Sequence, residues 1–474
     1  MKSKRVILFL SALVFLLGTI SANATSSGSA AVNQPWTVQL LKADEDAVRN
    51  LSAAHVGTYQ IPIMSYNRVG LHVIYVAHPK TSATIGNCGP NNTWFCYGRW
   101  GDNALIDGTV SQMATMQIID TFLIQWAYAT ATTIRGVTFE FHNDMSDATH
   151  SYQDLIQLNK FGGVLIGSPS LQTVGGHYWM AATIRSGGDF PTYKLVYMHF
   201  VGGSGNTSCM NSGNGYQCDV IDESTGYDSM GAPSLQIAPD GTIGIAYYKY
   251  GAGVTDGVKY AYPHTHSTNY PSNCGPGDPK TWRCISIYTG AATGTFRPVV
   301  KFALGQTQYD RGVVFTYDDE MIDVTLFHAE YVGSGGNCGL DGGLIILTYR
   351  WKCTDVAIFG PLSPLYSPSY SIDIDPEGYP VIAYNAGVGE YEPINLYITY
   401  PKARVGIAED GWIAQGIDGV PAPYTEISTG AEAALSLSNA GLGLIGYLQE
   451  EDYELPDLKT AWQQFHTFLP SVMR

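Results

Sequence analysis

Charged side chains follow a short recurring string, apolar-small-Tyr, at several places along the chain. Early copies are followed by Arg68, Arg135 and Arg185, and a later copy by Lys249. Because a guanidinium binds a carboxylate through two parallel hydrogen bonds, these residues predict a site for an acidic sugar. The remaining copies are followed by carboxylates: Asp318, Asp319, Glu320, Asp323, Glu390, Glu392, Glu450, Glu451, Asp452 and Glu454.

The carboxylates are compatible with two chemistries. Glycoside hydrolysis needs an acid and a nucleophile or base about 5–9.5 Å apart. Several carboxylate oxygens would instead hold Ca²⁺, the one cofactor that we consider; the sequence otherwise indicates none. A third interpretation needs no ligand, since surface loops carry charge because they face water. No phosphate-binding loop, dinucleotide fingerprint, serine hydrolase elbow or HExxH zinc motif occurs in the chain.

Eight cysteines fall into four close pairs that are far from one another. An exported chain keeps such pairs oxidised, and local pairing is the simplest arrangement. Zinc is the alternative, but the chain has no CxxC and no histidine at ligand spacing. We therefore expect four structural disulfides. They would join Cys88 to Cys96, Cys209 to Cys218, Cys274 to Cys284, and Cys338 to Cys353.

The recurring string marks a repeat of about 63 residues. Six copies end at a tyrosine, and between the second and third of these Ala181-Ala182-Thr183 has threonine in the tyrosine position. Seven copies of this length fill the 450 residues that follow residue 24. The six tyrosines, which we expect to pack in the core or between repeats, are Tyr66, Tyr128, Tyr247, Tyr317, Tyr384 and Tyr447.

Each copy contains four short predicted strands. In the fourth copy they cover 234–237, 243–247, 258–262 and 282–287, with the turn Pro239-Asp240-Gly241 after the first. Seven four-stranded copies predict an all-β fold, a seven-bladed β-propeller with antiparallel strands. Residues 25–474 would form this single domain, with blades near 50–100, 110–158, 168–221, 232–288, 297–356, 367–417 and 431–464.

The fourth strand has a signature of its own, an aromatic residue followed two positions later by a small or apolar one. It is found in six copies, for example as Trp282-Arg283-Cys284, and the second cysteine of each pair lies within it. The seventh copy lacks it, but Trp36 begins the same pattern near the start of the chain. We therefore expect residues 36–41 to supply the outer strand of the last blade and close the ring.

Histidines follow the third predicted strand in five copies. A metal or acid–base role is one interpretation. Equivalent positions in a ring lie far from one another, however, and a position shared by repeats usually reports packing. The five are His78, His142, His199, His264 and His328.

These motifs resemble the repeats of secreted bacterial β-propellers, which have Asp-Gly turns, Ile-Ala-Tyr strings and a fourth-strand tryptophan. The resemblance covers nearly the whole chain after residue 24 and implies the fold rather than an activity, since propellers include lectins, sialidases, lyases and protein-binding scaffolds. Sialidases are similar in blade architecture, but their Asp-box, Ser-x-Asp-x-Gly-x-x-Trp, is not matched here.

Residues 1–24 have the form of a secretory signal peptide. Lys2, Lys4 and Arg5 precede an apolar run at 6–20, and small residues lead to a predicted cleavage after Ala24. The destination would be the periplasm or the medium. The formal net charge of −16 argues against nucleic-acid binding, and no later segment is apolar and long enough to span a membrane.

The sequence favours a secreted binding module whose partner is carbohydrate or a surface protein. One alternative is a hydrolase or lyase acting on glycans through the carboxylates and arginines, in the manner of a sialidase. Another is a structural component of the cell envelope. The candidate ligand-binding residues are Arg68, Arg135, Arg185, Asp318, Asp319, Glu320, Glu450 and Glu451.

Overall fold

The structure is a computed structural model. The predicted signal peptide, with its cleavage site near Ala24, lies outside the residues it describes, as do Glu320, Glu390, Glu392, Asp452 and Glu454. The described residues are 35–42, 48–57, 59–68, 70–81, 84–106, 109–118, 121–142, 145, 147–203, 206–225, 229–250, 257–265, 271–289, 299–305, 311–319, 323–342, 347–359, 369–386, 394–419, 427–451 and 456–463.

Seven antiparallel sheets form the blades of a ring, which confirms the predicted β-propeller. Each blade has four strands, named a to d from the ring axis outward. In blade 1, strands a to d are Val48–Val56, Ile61–Arg68, Val73–Pro79 and Trp94–Gly101, and in blade 2 they are Ala114–Ile118, Thr121–Ala129, Thr133–His142 and Asp147–Gln157. In blade 3 they are Gly163–Val174, His177–Ser186, Thr192–Phe200 and Tyr216–Thr225, and in blade 4 they are Ser234–Ile237, Ile243–Tyr250, Gly257–Pro263 and Trp282–Thr289.

The remaining blades follow the same plan. In the described residues, helical structure is limited to three short 3₁₀ segments, Pro90–Asn92, Leu158–Lys160 and Lys402–Val405, and no helix is long and apolar enough to cross a membrane. Strands a to d are Lys301–Leu304, Arg311–Asp319, Asp323–Tyr331 and Leu347–Phe359 in blade 5; Tyr370–Ile374, Pro380–Ala386, Asn395–Pro401 and Trp412–Asp418 in blade 6; and Ile427–Leu437, Gly443–Glu451, Asp457–Gln463 and Trp36–Lys42 in blade 7. Two sheets have a short fifth strand: Ser229–Met230 is added to blade 4, and Cys338–Gly342 is added to blade 5.

The ring closes as predicted, because the first described strand completes the last blade. Trp36 pairs with Gln463, and Val38 pairs with Ala461, in an antiparallel ladder. The closing strand also contacts blade 1, where the Trp94 indole donates a 2.8 Å hydrogen bond to Gln39 Oε1. Both ends of the described chain are thereby held in one sheet, and strand c of blade 7 is not left as an open edge.

The hydrophobic core lies between neighbouring blades. Ile63 and Ile74 of blade 1, for example, pack in one cluster with Ile124, Trp126 and Tyr128 of blade 2. This arrangement follows from the alternation of side chains along a strand, which gives every sheet two apolar faces to cover. The recurring tyrosines belong to this core: Tyr66, Tyr128, Tyr247, Tyr384 and Tyr447 are all buried.

The third copy of the repeat is aligned one residue differently from the sequence prediction. Thr183 does not take the tyrosine position, because its hydroxyl donates to the Gly231 carbonyl of the following blade at 2.7 Å. Ala182 faces blade 2 instead, in a cluster with Ala127 and Ile134. In the other blades, the residue at the tyrosine position of the recurring string faces the preceding blade. Ala182 is the residue that does so in blade 3, so the recurring string of this blade is Met180-Ala181-Ala182.

All four predicted disulfides are present, and the described residues include no free cysteine. Since every cysteine sulfur is bonded to another sulfur, the zinc alternative does not apply to them. The asparagine before the first cysteine explains the repeated Asn-Cys-Gly string. Asn87 exchanges two 2.7 Å hydrogen bonds with the backbone of Cys96, and Asn273 and Asn337 do the same with Cys284 and Cys353.

Four of the five repeated histidines pack individually against aromatic rings, as expected, and His142 is exposed. His78 and His328 are buried, and the His328 ring meets the Trp412 ring edge-on at 5.1 Å. His199 stacks on Tyr197. Within the part of the chain that the structure describes, no three His, Cys, Asp or Glu side chains lie close enough to hold a metal ion.

Candidate functional site

The charged residues predicted from the sequence lie on the face of the ring where strands b and c are connected, here called the upper face. Arg68 ends strand b of blade 1. Asp318 and Asp319 end strand b of blade 5, and Glu450 and Glu451 end strand b of blade 7, so blade 6 lies between the two acidic pairs. Their backbone positions put both pairs on the upper face.

Arg135 is paired with two carboxylates. Its Nη1 lies 3.0 Å from Asp102 Oδ2 of blade 1, and its Nε lies 2.7 Å from Asp154 Oδ1 of blade 2. The hydrogen bond to Asp154 is the main reason that the pKa of Arg135 is raised. Burial acts to raise the pKa of Asp102, but hydrogen bonds from Tyr128, Ala104 and Arg135 hold it below its usual value.

Lys249 is neutralised in the same way between blades 3 and 4. Its ammonium lies 2.8 Å from Asp222 Oδ1, and the Tyr247 hydroxyl donates to Asp222 Oδ2 at 2.7 Å. Between blades 6 and 7, Asp418 accepts from Tyr447 at 2.7 Å and from Lys459 at 3.0 Å. An aspartate, a recurring tyrosine and a cation thus join neighbouring blades at three interfaces.

The sequence prediction missed the three aspartates of these contacts. They lie in the last part of strand d or just beyond it, six residues after Tyr216 and Trp412 and eight after Trp94. That spacing from the fourth-strand aromatic was a signal available in the sequence. The three aspartates are Asp102, Asp222 and Asp418.

The structure does not bring the three predicted arginines together. Arg135 is bonded toward blade 1, whereas Arg185 lies on the opposite side of its blade, toward blade 4. Arg68 sits over the Tyr75 ring at 5.7 Å, and Tyr75 stacks on Tyr66. Each of the three arginines therefore has a separate environment.

Arg185 differs from the other two because it has no hydrogen bond or ion pair to any residue that the structure describes. Its Nε is buried without a partner. Its backbone pairs with Tyr193, which in turn pairs with Ser224 on strand d. Directly paired residues share one face of a sheet. The Ser224 hydroxyl is also buried and unpaired, so two unsatisfied polar groups lie on that face.

The neighbours of Arg185 show that this face is covered by blade 4. Thr183, two residues before Arg185, bonds to Gly231, and Asp222, two residues before Ser224, bonds to Tyr247 and Lys249. Residues two apart on a strand lie on the same face. Arg185, Tyr193 and Ser224 therefore face the upper part of the interface between blades 3 and 4, here called the Arg185 site.

One exposed aromatic ring belongs to the hairpin that follows Arg185. Phe190, between strands b and c of blade 3, is 68% exposed. Tyr250, which ends strand b of blade 4, alternates with Lys249 and therefore faces blade 5 rather than the Arg185 site. A site with a cation and a hydroxyl on one face can bind an anionic group.

No protein-family model and no curated protein matches the chain. Among solved structures, it is similar to the lectin from Aleuria aurantia, a six-bladed β-propeller, at 10% identity and a TM-score of 0.38, covering 81% of this chain and 100% of the lectin. It is also similar to a protein of unknown function from Dyadobacter fermentans, at 9% identity and a TM-score of 0.40, covering 90% and 98% of the two chains. A third similar structure is an α-L-arabinofuranosidase from Podospora anserina, at 9% identity and a TM-score of 0.31, covering 77% of this chain and 92% of the arabinofuranosidase. Function therefore has to be argued from the chain's own residues.

Proposed function

We propose that this protein is a carbohydrate-binding β-propeller and that its target carries carboxylates, which bind at the Arg185 site. The single observation behind the proposal is the unpartnered guanidinium. Arg135 and Lys249, predicted for the same role, are each paired with aspartate, whereas Arg185 has no such partner among the described residues. A buried donor without an acceptor costs free energy that an anionic ligand would recover.

The surroundings of Arg185 suit a sugar acid rather than a simple anion. Its guanidinium can hold a carboxylate through two hydrogen bonds, and the Ser224 hydroxyl adds a donor or acceptor on the same face. Phe190, in the hairpin that follows Arg185, is 68% exposed and offers apolar surface for the face of a pyranose. Four disulfides fit an extracellular protein, where polysaccharides are found.

The test compares binding of one polymer with and without its charge. The full chain is titrated with polygalacturonate and with the same polymer after methyl esterification, which removes the carboxylate charge and keeps the sugar. We expect binding of the charged form, at least tenfold weaker binding of the ester, and weakening by salt. Equal binding of the two forms, or no binding of either, would refute the proposal.

Substitutions then locate the site. Arg185→Ala should weaken polygalacturonate binding at least tenfold, and Arg185→Lys should restore part of it, because lysine keeps the charge but not the forked geometry. Arg49→Ala is the matched control, since it removes the same charge from an arginine on strand a of blade 1 whose side chain is 51% exposed. Binding that survives Arg185→Ala as well as it survives Arg49→Ala would place the ligand elsewhere.

A further inference from the structure

The inner strands of all seven blades surround a polar cavity of about 150 Å³ on the ring axis. The side chains that line the cavity lie at two levels of strand a. The upper level consists of the strand a residues that pair with the small residue of each recurring string on strand b, such as Ser52, Ser170 and Ser234. The lower level lies two residues further along each strand a. The lower-level residues that line the cavity are Gln172, Gln236, Lys301, Asp373 and Ser436.

The upper level mainly joins the blades. The hydroxyls of Ser52, Ser170 and Ser234 each accept a backbone N–H of the next blade, from its inner strand or the residue just before it, at 2.9, 2.8 and 3.0 Å. Ser371 lies at the same level in blade 6, and its hydroxyl has no hydrogen bond to the residues described here. It is therefore available to a molecule in the cavity.

The inner strands have irregular backbone just before the upper level. Asn50 and Glu432 have φ near +54°, and Gly167 has φ of 65°, each in a bulge that precedes the upper-level position. The Ser168 hydroxyl donates to Asn50 Oδ1 at 2.8 Å, so the inner strands of blades 1 and 3 are in direct contact there. We call the cavity below this contact the axial chamber.

Lys301 is the cation of the lower level. Burial lowers the pKa of its ammonium, and the charge of Glu432 acts in the opposite direction. Within the described part of the chain the ammonium has neither a hydrogen bond nor an ion pair within 4.0 Å. A cation enclosed by protein is costly unless an anion accompanies it.

No carboxylate of the described residues lies within ion-pair distance of Lys301. The nearest blade neighbour at this level, Asp373, accepts N–H groups from Ile374 at 2.9 Å and Leu437 at 2.7 Å instead. On the other side, Gln172 donates to Gln236 Oε1 at 3.2 Å, which leaves the Gln236 amide N–H₂ without an acceptor among the described residues. Three donors on consecutive blades therefore line the chamber: Gln236, Lys301 and Ser371.

We propose that the axial chamber binds a small oxyanion, with the Lys301 ammonium as its charge partner and the Gln236 amide and Ser371 hydroxyl as further donors. The size of the chamber sets the class of ligand. A cavity of about 150 Å³ holds a molecule of about six non-hydrogen atoms, such as benzene. Phosphate or a carboxylate of two or three carbons fits this limit, and a uronic acid residue exceeds it. The chamber is thus a second site, separate from the Arg185 site.

The test is a calorimetric titration of the full chain with inorganic phosphate, and in a second arm with acetate, at constant ionic strength set with chloride. Lys301-dependent binding of either anion supports the proposal, and the stronger of the two identifies the preferred geometry. Lys301→Met should weaken binding at least tenfold, whereas Lys301→Arg should retain it. Lys80→Met, which removes the same charge from an exposed position after strand c of blade 1, should leave it unchanged.

A second variant keeps the experiment decisive if Lys301→Met does not fold. Ser371→Ala removes one donor and leaves the charge, and it should weaken phosphate binding several-fold without changing binding of polygalacturonate. Absence of both anions from the wild-type titrations would overturn the proposal. The proposal would also be overturned if Lys301→Met left anion binding unchanged. If Lys301→Met does not fold, unchanged binding by Ser371→Ala would have the same meaning. Neither result would bear on the Arg185 site, because that site lies between blades 3 and 4 on the upper face.

Discussion

The Tyr128 hydroxyl donates a 2.6 Å hydrogen bond to Asp102 Oδ2, which belongs to the preceding blade. The same oxygen lies 3.0 Å from Arg135 Nη1, so one carboxylate holds a tyrosine and an arginine of blade 2. Tyr247 with Asp222 and Tyr447 with Asp418 repeat the contact at two other interfaces. The tyrosine of the repeat is therefore a polar connector between blades as well as part of the core.

Arg135→Met should lower the free energy of unfolding. The substitution leaves Asp102 without its cation and Asp154 without its 2.7 Å contact. Hydrogen bonds to charged groups contribute about 1.5–3 kcal/mol, and we expect a loss in that range in urea denaturation followed by tryptophan fluorescence. Arg49→Met, whose nearest carboxylate oxygen is 3.9 Å away, is the control. Equal losses in the two variants would contradict a connecting role.

Removing the closing strand should destabilise the whole ring. A chain that begins at residue 43 loses strand d of blade 7, uncovers strand c and removes buried Leu41 from the cluster it shares with Trp94 and Leu458. Burying one leucine side chain alone contributes about 1.5–3 kcal/mol, so the total loss should be several kcal/mol. Thermal and urea unfolding measure it against a chain that begins at residue 35. Unchanged unfolding would mean that the joint in blade 7 contributes little.

His328 should make stability depend on pH. Burial lowers its pKa from 6.5 to about 3. Between these values the unfolded chain binds more protons than the folded one, so the free energy of unfolding rises with pH and falls on acidification from about pH 6.5 toward 3. His328→Leu should reduce the slope between pH 4 and 6 by about 1.4 kcal/mol per pH unit. A slope unchanged by His328→Leu would refute the assignment.

Removal of the Cys274–Cys284 disulfide should cost about 2–3 kcal/mol. The two cysteines are only ten residues apart in the sequence, and a disulfide that closes a short loop contributes less stability than one that closes a long loop. The double variant Cys274→Ser, Cys284→Ser keeps the Asn273 hydrogen bonds to the backbone of residue 284. Denaturation under non-reducing conditions gives the value. A loss above about 5 kcal/mol would show that the connection has another role, since that exceeds the usual range.

The cations predicted from the sequence have different environments in the structure. Arg135, Arg185 and Lys249 each follow a recurring string. In the structure, aspartates of strand d neutralise Arg135 and Lys249, and no described residue neutralises Arg185. Those aspartates come from another strand or from the preceding blade. Which cation remains available for a ligand depends on contacts between different strands or blades. The repeat pattern of the sequence does not show these contacts.

The axial chamber was not predicted at all. Lys301, Asp373 and Gln236 are isolated polar residues in short strands, separated by 65 or more positions along the chain. They share one level only because each strand a has the same register to its strand b. That register, and the bulges at Asn50 and Glu432, come from pairing within each sheet.

The sequence by itself determined the number of blades, the four strands in each, the closure by Trp36 and the four disulfides. These are local or periodic features: alternation, turn glycines, close cysteines and a repeat length that fills the chain. The tertiary structure alone decided the frame of the third copy, the pairing of Arg135 and Lys249 with aspartates, and the position of Lys301 on the axis. The reason is that side-chain pairing and burial depend on which faces meet across blades. Residues on meeting faces are far apart in the chain, by 33 positions for Arg135 and Asp102 and by 27 for Lys249 and Asp222.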